Sequence, residues 1–305
     1  VSYSRTGVSD AWAGIVAASE RIIEDGRLRV VADVALLLVA PVVLIILATL
    51  PIDFRRSMAF SYTEPTVLTA FTAHYIHLTV PHLVGNLAGF LLLSTLAYGL
   101  SCLAERRWLF IVASLTFLLA FPLVLSALNL AVPRDAIGYG FSGVTMAFFA
   151  YIVVMLFTAI DKTTDLHVRP YLPAIFIISV AYISLLIFSL SAISVPFVGA
   201  AVFMIAVYVR NFGFEAIHRV RSELSRLCAR PLVGELVVVA TIVSVIYPVV
   251  GFPASSPTGV QVNVYVHFLG YALAFIATYI SLFLEENIIC WTRSKTDDTT
   301  SVEPL

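Results

Sequence analysis

Four polar residues stand out in an otherwise apolar chain: Ser142, His267, His82 and Asn86. A serine hydroxyl is a weak nucleophile until a base takes its proton, and a histidine within hydrogen-bond reach can be that base. His267 would serve first as general base and then as general acid. His82 and Asn86 are four residues apart, so a helix carries them on one face. Both bear N–H donors of the kind that hold a developing oxyanion. Gly140 and Gly143 flank Ser142 and permit close backbone approach. A serine at a helix start also faces unpaired N–H groups and the positive end of the dipole. Gly270 lies nearly one turn beyond His267, where a small residue lets its helix approach another; Ala274 and Ala277 continue that stripe. Taken singly, these residues read as a Gly/Ser packing spot and an interfacial histidine. Their combination on three helices is what points to nucleophilic chemistry.

The elements that must position them are membrane helices. The 305 residues are 60% hydrophobic and 12% charged, with a mean hydropathy of +0.98. Soluble domains are about 45–50% apolar and about 25% charged, so a soluble enzyme, a disordered chain and a disulfide scaffold are all excluded. A span needs about 20 apolar residues. Eight stretches approach this: 30–50, 82–103, 108–130, 142–160, 172–190, 193–209, 232–251 and 263–284. The sixth is the weakest, being short and holding Pro196 and Gly199. The expected fold is all-α: a polytopic transmembrane bundle of eight spans. With residues 1–29 cytoplasmic, 15 Lys and Arg fall on the cytoplasmic side and 3 outside, as the positive-inside rule requires.

In that topology the helices bearing His82 and Asn86, Ser142, and His267 all start at the outer face. Parity tests the arrangement. His267 meets Ser142 only if an odd number of spans separates their helices, and three are expected there. If 193–209 did not cross, the pairing would fail. Residues 9–25 read as an amphipathic surface helix or a solvated leader. Residues 286–305 read as a polar cytoplasmic tail, disordered over 292–305, and 210–231 as a basic cytoplasmic segment.

Other chemistries lack their residues. No Asp or Glu lies deep in a span; Asp33 and Glu235 sit near helix ends, within reach of the interface. This disfavours a proton pump and an intramembrane aspartyl protease, and there is no H-E-x-x-H zinc motif. Cys102, Cys228 and Cys290 form no C-x-x-C pair. His74, His77 and His82 are close in sequence, but no nearby carboxylate or cysteine completes a metal set. We expect His74 and His77 to orient the loop or His82, and we expect no metal and no cofactor. A net charge of −1 offers nothing to a nucleic acid.

These residues resemble the rhomboid family of intramembrane serine proteases. His77 followed by His82 and Asn86 looks like its histidine plus H-x-x-x-N; Gly140 to Gly143 matches its G-x-S-G; His267 and Gly270 match its H-x-x-G. Glu105 and Arg107 resemble its E-x-R, a pair that helps close a turn. The resemblance implies a six-helix core, here with about two extra helices at 193–251. It makes Ser142 the nucleophile and His267 the base of a dyad without an acid. His82, Asn86 and the Ser142 N–H would form the oxyanion hole. The 51–81 loop would be the membrane-embedded first loop, and the loop near 251–262 would cap a water cavity. Implied partners are transmembrane protein substrates and the lipid bilayer. The chain departs from the family at Met146, where an aromatic is usual, and at Ala274, where a second glycine is usual. Both substitutions are expected to alter the packing around His267. The alternatives are a non-proteolytic membrane chaperone of the same fold and an unrelated transporter.

Overall fold

The helix that begins at Ser142 lies at the centre of the computed structural model, which describes residues 27–211, 214–253 and 262–300. In chain order the helices are α1 (Arg27–Ala48), α2 (Ile52–Ser57), α3 (Val67–Thr72), α4 (Val80–Leu103), α5 (Arg107–Leu119), α6 (Phe121–Asn129), α7 (Ser142–Thr163), α8 (Leu172–Phe188), α9 (Ser194–Asn211), α10 (Phe214–Cys228), α11 (Val233–Gly251) and α12 (Val264–Thr300). A helix apolar on every side must be buried on every side. α7 is such a helix, with 89% of its apolar window buried. It packs chiefly against α12 and α4. Phe90 meets Phe148 edge-on at 5.1 Å, and Ser101 Oγ lies 2.9 Å from Tyr151 Oη.

The chain is an integral, multi-pass all-α bundle. Among the described residues, six helices are long and apolar enough to span a membrane. A seventh span results if α5 and α6 count as one helix bent by 47°. The bend has a cause in the sequence. Pro122 has no N–H to give the Leu118 carbonyl one turn back, and the Tyr75 hydroxyl donates to that carbonyl instead. Six or seven of the eight expected spans thus meet this criterion among the described residues. The apolar part of α9, Ser194–Tyr208, is about 22 Å long, short of a hydrocarbon core of about 30 Å. α9 nonetheless folds back along α8: Tyr208 near its end meets Tyr171 at the start of α8, with ring centroids 5.0 Å apart.

α4, α7 and α12 run parallel, as two ion pairs near their ends remote from Ser142 show. Lys162 reaches Glu105 at 2.8 Å, and Arg106 reaches Glu285 at 2.9 Å. Asp33 is 2% exposed, because Arg107 holds it from 2.5 and 2.8 Å and the Tyr98 hydroxyl donates to it at 2.8 Å. A buried carboxylate persists only with such partners. α12 also runs on to Thr300 rather than giving way to a disordered tail; no glycine or proline interrupts 286–300. Residues 9–25 and most of the leader lie outside the described residues.

At the opposite end the 51–81 segment folds over the bundle. Its strand β1 (Phe60–Ser61) pairs antiparallel with β2 (Ile137–Gly138). The Gly140 N–H donates to the Ala73 carbonyl at 2.9 Å. This loop thus pins the stretch that leads into Ser142.

Candidate active site

Ser142 is the first residue of α7, and no side chain caps that helix start. Its backbone N–H therefore has no intrahelical partner. The Ser142 hydroxyl lies 2.6 Å from His267 Nε2. His267 is buried on the first turn of α12, while Ser142 is only half-buried. Two features set the start of α12. Asn263 Oδ1 accepts the Val266 N–H at 3.2 Å, an N-cap. Gly270 faces Gly143 so closely that a Cβ would run into the Gly143 carbonyl oxygen. Only a residue without a side chain lets α12 bring His267 to Ser142.

The other nitrogen of the ring decides its chemistry. His267 Nδ1 lies 2.5 Å from the Gly251 carbonyl oxygen. A carbonyl only accepts, so Nδ1 carries the proton and Nε2 presents its lone pair to the Ser142 hydroxyl. That carbonyl is available because α11 ends at Gly251, and the last carbonyls of a helix lack intrahelical donors. Phe252 packs edge-on against the imidazole at 6.1 Å. Met146 and Ala274, the two departures, are both buried. Met146 fills the space against Gly251, where a Cβ would stand 2.6 Å from Met146 Cε.

His82, on the first turn of α4, lies against Gly140. A Cβ there would fall 2.5 Å from His82 Cε1 and 2.8 Å from Nε2. The φ of +113° at Gly140 is also one that glycine tolerates best. His82 stacks edge-on with His77 and Tyr139. Asn86 does not bond Ser142; its Nδ2 lies 2.8 Å from His77 Nε2. A carboxamide nitrogen has two N–H groups, so one remains for a ligand. Burial lowers His77 to about 3, helped by the neighbouring His82 and Arg55, so it is neutral and accepts from Asn86. The Arg55 guanidinium fixes His77 from behind, donating to the His77 carbonyl at 2.6 Å and the Leu50 carbonyl at 3.0 Å. His74 turns away, with Nε2 3.1 Å from Ser126 Oγ. Burial lowers it to about 4.

Glu105 and Arg107 stand at the far end of the bundle, engaged with Lys162 and Asp33. They position helices rather than chemistry. Residues 254–261, most of the loop expected to cap the site, lie outside the described residues. Several contributors carry no motif. The Gly251 carbonyl has no side chain to read, and Arg55 acts across 22 residues. Tyr62 accepts from Asn129 at 2.8 Å and Asn263 at 3.2 Å, tying the outer loop to the α12 cap. Among them, only Asn263 has a signal that could have marked it, a polar residue just before an apolar run.

Comparison with protein-family models, curated proteins and solved structures finds no match to this chain.

Proposed function

We propose that the protein is a serine-type intramembrane endopeptidase that cleaves transmembrane segments of other membrane proteins near the outer leaflet. The observation that carries this reading is the pairing of Ser142 with His267 at 2.6 Å, with the Nδ1 proton given to the Gly251 carbonyl. The resemblance of these motifs to the rhomboid family supports it. In the proposed reaction Ser142 Oγ attacks the scissile carbonyl carbon as its proton passes to His267 Nε2. The Ser142 N–H, His82 and Asn86 donate to the oxyanion. His267 returns the proton to the departing amine as the C–N bond breaks. Water, losing a proton to His267, then attacks the acyl carbonyl, frees the new carboxylate and restores Ser142. The Gly251 carbonyl takes the orienting role that a carboxylate fills in a triad.

The same reading puts both termini in the cytoplasm and eight crossings in a plasma membrane. What supports the even count is the Tyr171–Tyr208 contact, which returns α9 to the end where α8 begins. A reconstituted assay tests the activity. Proteoliposomes holding the protein and a single-span reporter with helix-breaking residues near its outer end should yield two fragments, and Ser142→Ala should yield none. Cleavage that persists in Ser142→Ala overturns the proposal.

A further inference from the structure

A cavity of about 440 Å³ lies between α1, α5 and the outer loop, away from Ser142. One wall is the stripe Leu36, Ala40, Val43 and Leu47 of α1, spaced four, three and four residues apart, as one helical face requires. The facing wall is Leu115, Leu118 and Leu119 of α5. Met58, Tyr75 and Ile76 close it toward the outer loop. No polar surface lines it. Its two hydroxyls are both engaged: Thr72 donates to the Met58 and Leu68 carbonyls at 2.9 and 3.0 Å, and Tyr75 to the Leu118 carbonyl. Water needs two to four polar partners to occupy a buried site, and this cavity offers none.

We propose that the cavity binds one acyl chain of a membrane lipid. Its rim opens on residues that face the hydrocarbon: Val39 is 53% exposed and Leu119 58%. The medium at that opening is therefore lipid chain rather than water. The size excludes a protein segment. A helix with side chains is about 10–12 Å across, and would fill this volume within about one turn. A slim, flexible hydrocarbon chain fits along the α1 stripe instead. Met58 follows directly on α2, whose Arg56 side chain is exposed and 3.9 Å from Asp53, a cation suited to the lipid phosphate. The inference does not depend on the protease reading.

The full chain in phosphatidylcholine vesicles, with a phosphatidylcholine carrying a diazirine on its acyl chain, tests this by peptide mass spectrometry. Adducts on Val43, Leu47 and Leu115 should exceed several-fold those on Val245 and Ile246, which are exposed on α11. Val43→Phe, which fills the space, should bring them down to the α11 level. Leu119→Phe at the exposed rim repeats the test on a position that accepts larger side chains. Equal adducts at the cavity and at α11, or cavity adducts undiminished in a folded Phe variant, overturn the proposal.

Discussion

Gly270 of α12 sits directly against the Gly143 carbonyl of α7, and this contact sets the distance between His267 and Ser142. The obstacle to any side chain at Gly270 is backbone, which cannot rotate aside. Overpacking of this kind costs about 1–3 kcal/mol. Gly270→Ala should push α12 outward, lengthen the Ser142–His267 bond and reduce fluorophosphonate labelling by about tenfold or more. Gly199→Ala, where nothing stands within 4 Å, should leave labelling unchanged. Labelling kinetics of the two variants in detergent check this, and equal rates would contradict the packing argument.

Asn86 is expected to depend on His77. The His77 ring holds one N–H of the carboxamide and so aims the other. His77→Ala should slow reporter cleavage mainly through kcat, with KM nearly unchanged, whereas His77→Gln, which keeps an acceptor, should recover part of the rate. A loss confined to KM would assign His77 to binding instead.

His74 and His77 both shape the acid side of the stability profile, and His74 gives the cleaner test because it turns away from the site. Its value falls from the usual 6.5 to about 4 in the folded chain, through burial. Between those values the unfolded chain binds a proton that the folded chain does not, so stability falls as pH drops from about 6.5 toward about 4. Above 6.5 this contribution is complete and flat. His74→Asn should make Tm less steep across that window. An unchanged slope would show that other groups govern it.

Asp33 and Arg107 are expected to be a structural pair. Removing one member of a buried pair costs about 3–5 kcal/mol, because the remaining charge loses its partner. Asp33→Ala should lower Tm markedly yet keep Ser142 reactive at low temperature, since the pair lies at the other end of the bundle. Loss of labelling in protein that is still folded would contradict that separation.

Much of the helical fold was legible because a membrane span has a simple signature, a long run of apolar residues. The signature fails where geometry depends on length or distant partners. The 193–209 stretch is apolar yet too short to count by itself, and only its contact with α8 reveals its direction. The burial of Asp33 could not be read from its place near a helix end, because its partner Arg107 is 74 residues away. The proximity of Ser142 and His267 could be argued from the number of helices between them. The Gly251 carbonyl could not, because a main-chain acceptor leaves no trace in residue type and becomes visible only once the end of α11 is placed against the imidazole.

The central claim is that His267 activates Ser142, and covalent labelling tests it most directly. Detergent-solubilised protein treated with a fluorophosphonate probe, digested and mapped by mass spectrometry, should carry the adduct on Ser142. Ser142→Ala and His267→Ala should both lose it. An adduct formed equally in all three proteins, or located on another serine, would contradict the account.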